Sequence, residues 1–182
     1  MYIVINYKFK MISVTFLIPV YNEVKTLENA ILEVLKLDYP KKEIIIIDNN
    51  SIDGSKQILE KFINNNNLKI IFKDKNLGYG DTIKKGFALA KGEVMYIQYS
   101  DSEYSIDGFF LMIEKYNKTR ADIIFGERYP KFSFIQKIKE SVKRPQYLGT
   151  FLTTSLINYL YDVNLNDIIG SKMYKTFTFK KF

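Results

Sequence analysis

Two kinds of hydrophobic periodicity alternate along the first 127 residues of this chain, and the alternation limits what it can fold into. Short apolar runs such as SVTFLI (13–18) and EIIIID (43–48) predict buried strands, because branched side chains occupy both faces. Between such runs, apolar residues recur at spacings of three and four, which predicts amphipathic helices. The first such series is Leu27, Ala30, Ile31, Val34 and Leu35. The order of the segments predicts an α/β fold with a three-layer, mostly parallel sheet.

The remaining segments follow the same alternation. Three further strands are predicted at LKIIFK (68–73), EVMYIQY (93–99) and ADIIFGE (121–127). Three further helices are predicted at 51–62, 78–92 and 106–118, with Gly92 ending the second of these. Ser51 or Asp53 is expected to cap the helix at 51–62, and Asn22 and Glu23 the helix before it.

The composition excludes several kinds of chemistry. The chain has no Cys and no His, so thiol nucleophiles, disulfides, thiolate zinc sites and Ser-His-Asp triads are absent. A bound metal is therefore expected to be a hard ion held by oxygen ligands, such as Mg²⁺ or Mn²⁺. A net charge of +7 indicates an anionic partner, but the basic residues are scattered and match no nucleic-acid-binding motif. We therefore expect no nucleic acid partner.

The length of 182 residues and the 47% hydrophobic content fit one folded domain over 1–182. We expect residues 1–10 to be an extension and 130–182 to be the part that faces the acceptor and the membrane. The sequence shows no signal peptide and no apolar run of bilayer length, which favours the cytosol, with peripheral contact at the cytoplasmic membrane face as a further expectation.

Polar residues follow every predicted strand. The five strand ends carry PVYNE (19–23), DNNSIDGS (48–55), KDKNLGYG (73–80), YSDSEYS (99–105) and GERY (126–129). In an open parallel sheet, ligands gather at the carboxyl ends of the strands. One or two such ends would be ordinary connecting loops, whereas a complete set predicts one polar crevice.

These five segments, in this order, resemble the motif series of the family 2 glycosyltransferases, which have the GT-A fold. The NLGYG and GER segments most resemble the polyprenol-phosphate (dolichol-phosphate mannose synthase-like) branch. The resemblance implies transfer of a sugar from a UDP- or GDP-sugar, with Mg²⁺ or Mn²⁺ and with inversion at the sugar. It covers about Ser13 to Arg128 and extends more weakly to about Tyr174.

The resemblance also implies roles for individual residues. It implies metal ligation by Asp101 and Glu103, and catalytic roles for Asp101 and for Arg128, which is expected to meet phosphate. The nucleotide-sugar ligands that it implies are Pro19, Tyr21, Glu23, Asp48, Asn76, Gly78, Gly80 and Ser100.

Two substitutions depart from the family pattern. Tyr99 stands where the family's Asp-x-Asp motif has its first Asp, and Asn49 replaces the second acid of the pair after the second strand. Alternate residues of an extended segment point to one side, so Asp101 and Glu103 can share an ion without a ligand at position 99. Mg²⁺ often takes only one or two protein carboxylates. Activity and a non-catalytic nucleotide-sugar-binding module therefore both remain open.

The acceptor is the second open question. A polyprenyl phosphate is already an anionic nucleophile at neutral pH and needs cations, which Arg128, Lys172 and the basic stretch 131–144 supply. The apolar helix predicted at 146–161 then faces the prenyl chain, and 131–161 contacts the membrane. The alternatives are a surface loop followed by a core helix, and a saccharide hydroxyl acceptor in surface polysaccharide synthesis. We also expect the C-terminal part to be truncated, because family members usually continue beyond the position of Phe182.

Overall fold

The computed structural model describes residues 10–101, 106–127, 135–136, 139 and 146–180. The strands are β1 (Val14–Val20), β2 (Lys42–Asp48), β3 (Leu68–Phe72), β4 (Val94–Ile97), β5 (Ile123–Phe125) and β6 (Lys172–Lys175). The helices are α1 (Leu27–Lys36), α2 (Ser55–Glu60), α3 (Tyr79–Leu89), α4 (Phe109–Thr119), α5 (Gln146–Tyr161) and α6 (Thr176–Phe179). A short 3₁₀ turn, Ile106–Gly108, precedes α4.

The strands form one sheet in the order β3-β2-β1-β4-β6-β5. β1 pairs in parallel with β2 and β4, and β2 pairs in parallel with β3. β5 and β6 run antiparallel, because Gly126 N donates to Ser171 O at 2.7 Å while Lys175 N donates to Asp122 O at 2.8 Å. The prediction of a mostly parallel sheet is confirmed. β6, which is inserted between β4 and β5, was not predicted.

Helices cover both faces of the sheet, which confirms the three-layer architecture. On β1, Phe16 and Ile18 belong to the larger core, which also contains residues of α1, α2 and α4. Leu17 points to the opposite face and packs with Phe87 of α3 and the partly buried Phe179 of α6. The alternation of side chains along a strand explains why β1 and β2 are apolar at nearly every position.

Two helix starts differ from the prediction. α1 begins after Thr26, and the side chain of Asn22 instead accepts a hydrogen bond from Ile52 N at 2.9 Å. α2 begins at Ser55 after Gly54, which has a φ of 105°, so neither Ser51 nor Asp53 is its N-cap residue. The side chains of Asn22, Ser51 and Asp53 join loops instead, and that of Glu23 accepts a hydrogen bond from Thr26 Oγ1 at 3.4 Å. α3 also ends at Leu89, earlier than the Gly92 that was expected to stop it.

The chain divides into two compact units. The first comprises residues up to Ile124 and from Met173 onward, and the second comprises Phe125–Lys172. The first unit holds β1 to β4 and α1 to α4, and the second holds α5. Within the described ranges, no helix has both the length and the hydropathy needed to cross a bilayer.

Candidate functional site

A cleft of about 320 Å³ opens in the first unit, where β1, β2 and β4 end and α3 begins. The crossovers of a parallel sheet bring these chain ends to one edge, as the sequence predicts. The residues that line the cleft are Pro19, Val20, Tyr21, Glu23, Asn49, Asn76, Gly78, Tyr79, Thr82, Tyr99, Ser100 and Asp101.

The cleft brings together most of the site residues that the sequence suggested. Those that line it are Pro19, Tyr21, Glu23, Asn76, Gly78, Ser100 and Asp101. Gly80 lies in the first turn of α3 and Lys172 belongs to the second unit. Glu103 and Arg128 lie outside the described residues, as does most of the basic stretch 131–144. The roles assigned to these residues stay predictions.

Asp48, at the end of β2, is directed into the loop that follows it. Only 2% of its surface is exposed. Its carboxylate accepts hydrogen bonds from Ser51 N, at 3.2 and 3.3 Å, and from Ser51 Oγ at 2.5 Å. Asp48 is not among the lining residues, so its expected contact with the nucleotide stays a prediction. In this structure the side chain shapes the loop beside the cleft.

That loop is tied to the end of β1 by side-chain hydrogen bonds. Asn22 N donates to Ser51 Oγ at 3.0 Å, and Glu23 N donates to Ser55 Oγ at 2.9 Å. Asp53 in turn accepts from Ser55 N and Ser55 Oγ at 2.9 and 2.6 Å. Desolvation opposes ionisation of Asp53, but its hydrogen bonds outweigh this and lower its pKa. The anionic Asp53 therefore helps to hold the Glu23 edge of the cleft.

Asn49 and Asn76 form a second link, from the end of β2 to the loop before α3. Asn49 Nδ2 donates to Asn76 Oδ1 at 2.5 Å, and Asn49 Oδ1 accepts from Leu77 N at 3.3 Å. Asn76 Oδ1 also accepts from Gly78 N at 2.8 Å, and Gly78 has a φ of 86°, which favours glycine. A carboxylate at position 49 has no N–H to donate to Asn76. The asparagine at position 49, which stands where the family pattern has an acid, therefore makes this hydrogen bond to Asn76 possible.

Tyr79 and Tyr99 form an aromatic wall of the cleft. Their rings are nearly parallel, with an interplanar angle of 9° and centroids 6.3 Å apart, and their hydroxyls are 3.3 Å apart. Sequence reasoning noted Tyr99 only as a lost acid, and it missed Tyr79, Thr82 and Val20 as lining residues. Tyr79, the tyrosine of the NLGYG segment, could have been suggested as a lining residue, because it follows Gly78 in the segment after the third strand.

Two carboxylates lie close enough in the cleft to influence each other. Burial raises the pKa of Glu23, and the negative charge of Asp101 raises it further. Asp101 follows Ser100, whose Oγ donates to Pro19 O at 3.1 Å and fixes this segment to β1. Paired carboxylates that repel each other become more stable when a cation lies between them.

The oxygen donors of the cleft fit a hard divalent ion. The described residues contain no group of three acidic side chains arranged as metal ligands. Asp101 and Glu23 provide two carboxylates, which is enough for an ion that completes its shell with phosphate and water. The absence of Cys and His leaves no thiolate or imidazole ligand for a competing metal.

The sequence profile described as Glycosyl transferase family 2 matches residues 15–181. The chain belongs to this family. As a family 2 glycosyltransferase, it is 34% identical over 139 residues to "Cholesterol galactosyltransferase" of Borreliella burgdorferi, covering 74% of this chain and 38% of that protein. It is 33% identical over 106 residues to "Poly-beta-1,6-N-acetyl-D-glucosamine synthase" of Staphylococcus epidermidis, covering 58% of this chain and 26% of the relative. The matched part thus spans about a quarter to two fifths of these relatives.

Solved structures show that this family 2 chain has the GT-A fold. S. aureus TarS 1-349 in complex with UDP-GlcNAc matches with a TM-score of 0.60 and 20% identity, over 93% of this chain and 47% of TarS. Mannosyltransferase PcManGT from Pyrobaculum calidifontis, in complex with GDP-Man and Mn²⁺, matches with a TM-score of 0.59 and 19% identity, over 65% and 36% of the two chains. The predicted fold and family are confirmed. The matches do not test the polyprenol-phosphate branch.

Proposed function

We propose that this chain transfers a sugar from a nucleoside-diphosphate sugar to a hydroxyl of a saccharide acceptor. The observation that carries the proposal is the cleft at the strand ends, which Glu23 and Asp101 line together with the Tyr79–Tyr99 wall in a family 2 fold. Two solved neighbours are complexes with GDP-Man and with UDP-GlcNAc, which supports a donor of this class.

The reaction is a displacement at the anomeric carbon of the sugar. The acceptor oxygen forms a bond to this carbon while the bond to the donor's β-phosphate oxygen breaks, and the electron pair leaves with the nucleoside diphosphate. The hydroxyl proton passes to a carboxylate of the cleft, for which Glu23 is the described candidate. Attack from the side opposite the leaving group inverts the configuration.

When bound, a divalent ion such as Mg²⁺ or Mn²⁺ would neutralise the negative charge that develops on the leaving diphosphate. Asp101 is the described residue that would hold it, with Glu23 nearby and Glu103 as a further ligand proposed from the sequence. Ser100 and Pro19 hold Asp101 in place through their 3.1 Å hydrogen bond. The Mn²⁺ in the PcManGT complex supports this choice of metal.

The saccharide acceptor is favoured over the polyprenyl phosphate by two considerations. One relative is named as a polysaccharide synthase. In addition, the Lys172 ammonium, which was expected to bind the acceptor phosphate, donates to the carbonyls of Ile169 and Gly170, both at 3.1 Å. These contacts use two of the three hydrogen bonds that the ammonium can donate.

The test follows release of UDP or GDP from a panel of nucleotide sugars, with and without Mn²⁺, using the purified chain. Soluble oligosaccharides are offered in one arm and vesicles containing polyprenyl phosphate in another. We expect Mn²⁺-dependent release that rises with the oligosaccharide. Asp101→Asn should lower it about 100-fold or more, because charge neutralisation by a metal contributes several kcal/mol.

The matched control is Glu60→Gln, which removes an exposed carboxylate at the end of α2, away from the lining residues. It should release nucleotide at the wild-type rate. Nucleotide release that rises only with polyprenyl phosphate would show that the acceptor is a lipid phosphate and not a saccharide. Donor binding that needs no metal and gives no turnover would indicate a non-catalytic binding module.

A further inference from the structure

A row of leucines lies exposed along α5 in the second unit. Leu148, Leu152, Leu156 and Leu160 recur every four residues, so they share one face of the helix. Their exposed fractions lie between 48% and 61%. We call these four residues the leucine ridge. Leucines at this spacing normally face a core, so their exposure indicates a surface that contacts something else.

The side of α5 opposite the leucine ridge is the more buried side of the helix. Thr154 is 4% exposed, and it lies on the side of the helix opposite the leucine ridge. Asn158 fixes the helix to the chain that follows, because its Nδ2 donates to Leu165 O and its Oδ1 accepts from Leu165 N, both at 2.9 Å. Asn158 therefore anchors the C-terminal part of α5, while the leucine ridge stays exposed.

The charge around α5 is distributed unevenly. The helix itself contains no Asp, Glu, Lys or Arg, whereas residues 128–145 contain six cations and a single anion. Lys143 and Arg144 precede Gln146 by three and two residues, so chain connectivity keeps their backbone near the first turn. The uncharged helix α5 is thus preceded in the sequence by a strongly basic segment.

We propose that the leucine ridge rests on the surface of an anionic lipid membrane. The 16 residues of α5 extend about 24 Å, short of the ~30 Å apolar thickness of a bilayer, so the helix lies in the plane of the interface. The leucines enter the acyl boundary, and the neighbouring Tyr159, which is 84% exposed, reaches the headgroup level.

Charge complementarity favours lipid as the occupant of this face. A bilayer that contains anionic lipid offers apolar chains and negative headgroups side by side over its whole area. A protein partner would need an apolar groove and an acidic patch matched in position to one helix and one adjoining segment. The inference does not depend on the transfer reaction, because membrane contact is measured without any donor or acceptor.

The test is flotation of the purified chain with phosphatidylcholine vesicles that contain or lack about 30% phosphatidylglycerol. We expect flotation with the anionic vesicles that weakens as salt is raised. The double variant Leu152→Glu with Leu156→Glu should lower vesicle binding tenfold or more, since two acyl contacts are replaced by charges that the same headgroups repel (~1.4 kcal/mol per tenfold).

The matched control is Leu111→Glu with Ile63→Glu. These two residues are 66% and 55% exposed in the first unit, so the control makes the same change in charge on another surface. It should float like the wild type, with both double variants showing the wild-type circular dichroism. Failure of the wild type to float with anionic vesicles, or equal losses in both double variants, would overturn the proposal. So would a wild-type oligomer that the Leu152/Leu156 variant dissociates without any vesicle binding.

Discussion

Tyr99 changes the charge of the cleft and adds a surface to it. Its phenol ring stacks on Tyr79 where the family's Asp-x-Asp motif would place a carboxylate. The cleft consequently offers a cation fewer negative charges and offers a bound sugar or base a flat apolar wall. We therefore expect substitutions at this one position to change both metal affinity and donor contact.

Restoring the acid should strengthen metal binding. We expect Tyr99→Asp to lower the Mn²⁺ concentration for half-maximal thermal stabilisation about tenfold, because a further carboxylate joins Asp101. Tyr99→Phe is the matched control, since it keeps the ring but removes the hydroxyl that lies 3.3 Å from that of Tyr79. It should leave Mn²⁺ binding unchanged. An Asp variant with wild-type Mn²⁺ affinity would show that position 99 does not face the metal.

Single residues of the cleft differ in how far the sequence reveals them. Ser100 and Asp101 were predictable because they follow an apolar strand, and all parallel strand ends meet at one edge. Asn49 and Tyr79 were not, because their roles depend on partners 27 and 20 residues away. Local periodicity places a residue at an edge of the sheet but does not give the side chain that it contacts there.

Among the elements, α3 packs closely against the sheet at one glycine. Gly86, in the middle of this helix, lies directly over Leu17 of β1, which is fully buried. A Cβ at position 86 would come within 2.4 Å of Leu17 Cδ2, whereas a Cβ at Gly80 in the same helix would meet no atom within 4 Å. The two glycines therefore have different functions.

Alanine should have opposite effects at the two positions. Gly86→Ala is expected to lower the free energy of unfolding by about 1–3 kcal/mol, because overpacking exceeds the gain in helix propensity. Gly80→Ala, the matched control, should raise it by up to ~1 kcal/mol. Urea unfolding measures both changes in the free energy of unfolding, provided that the m value is the same in the variants and the wild type. A Gly86 variant as stable as the Gly80 variant would mean that Leu17 moves aside without cost.

The elements of the first 127 residues were more predictable than the later ones. Buried branched runs such as EIIIID have an unambiguous pattern, and β2 follows it. β6 has the sequence KMYK, in which Met173 is the one fully apolar residue between the two lysines. Its place in the sheet comes from pairing with β5. Pairing between distant segments leaves no periodic signal in so short a strand.

At the scale of the whole molecule, a partly buried ion pair links the residue that follows β3 to α3. Lys73 Nζ lies 2.6 Å from Asp81 Oδ2, and the exposed fractions of the two side chains are 6% and 42%. The hydrogen bond from Lys73 lowers the pKa of the Asp81 carboxyl. A lowered pKa in the folded state stabilises the fold above the ordinary carboxyl pKa, and this contribution is lost as the pH falls through the folded-state value.

Asp81→Asn should therefore destabilise the protein in a pH-dependent way. At pH 7 we expect a lower denaturation midpoint than in the wild type, because the enclosed Lys73 ammonium loses its carboxylate. The difference should shrink as the pH falls below about 3.9, where the unfolded carboxyl is protonated, and should vanish below the folded-state pKa. The midpoints of urea unfolding, measured for the wild type and the variant from pH 3 to pH 7, give this difference.

The matched control for this ion pair is Glu114→Gln. It removes the acidic partner of Lys118 in an exposed pair on α4 and should shift the midpoint little at any pH. A deficit in the Asp81 variant that stayed constant down to pH 3 would contradict the assignment to the ion pair.

The position of β6 in the sheet has a consequence for how each molecule is made. β5 ends at Phe125 and its neighbour β6 begins at Lys172, so a ribosome adding about 5–20 residues per second delivers β6 roughly 2–10 s after β5. During that interval the nascent chain can assemble β3, β2, β1 and β4, whose pairings are already encoded in the emerged segment. β5 waits without its neighbour until translation has passed Lys175. The last pairings of the sheet can therefore form only after this interval, later than those of β1 to β4.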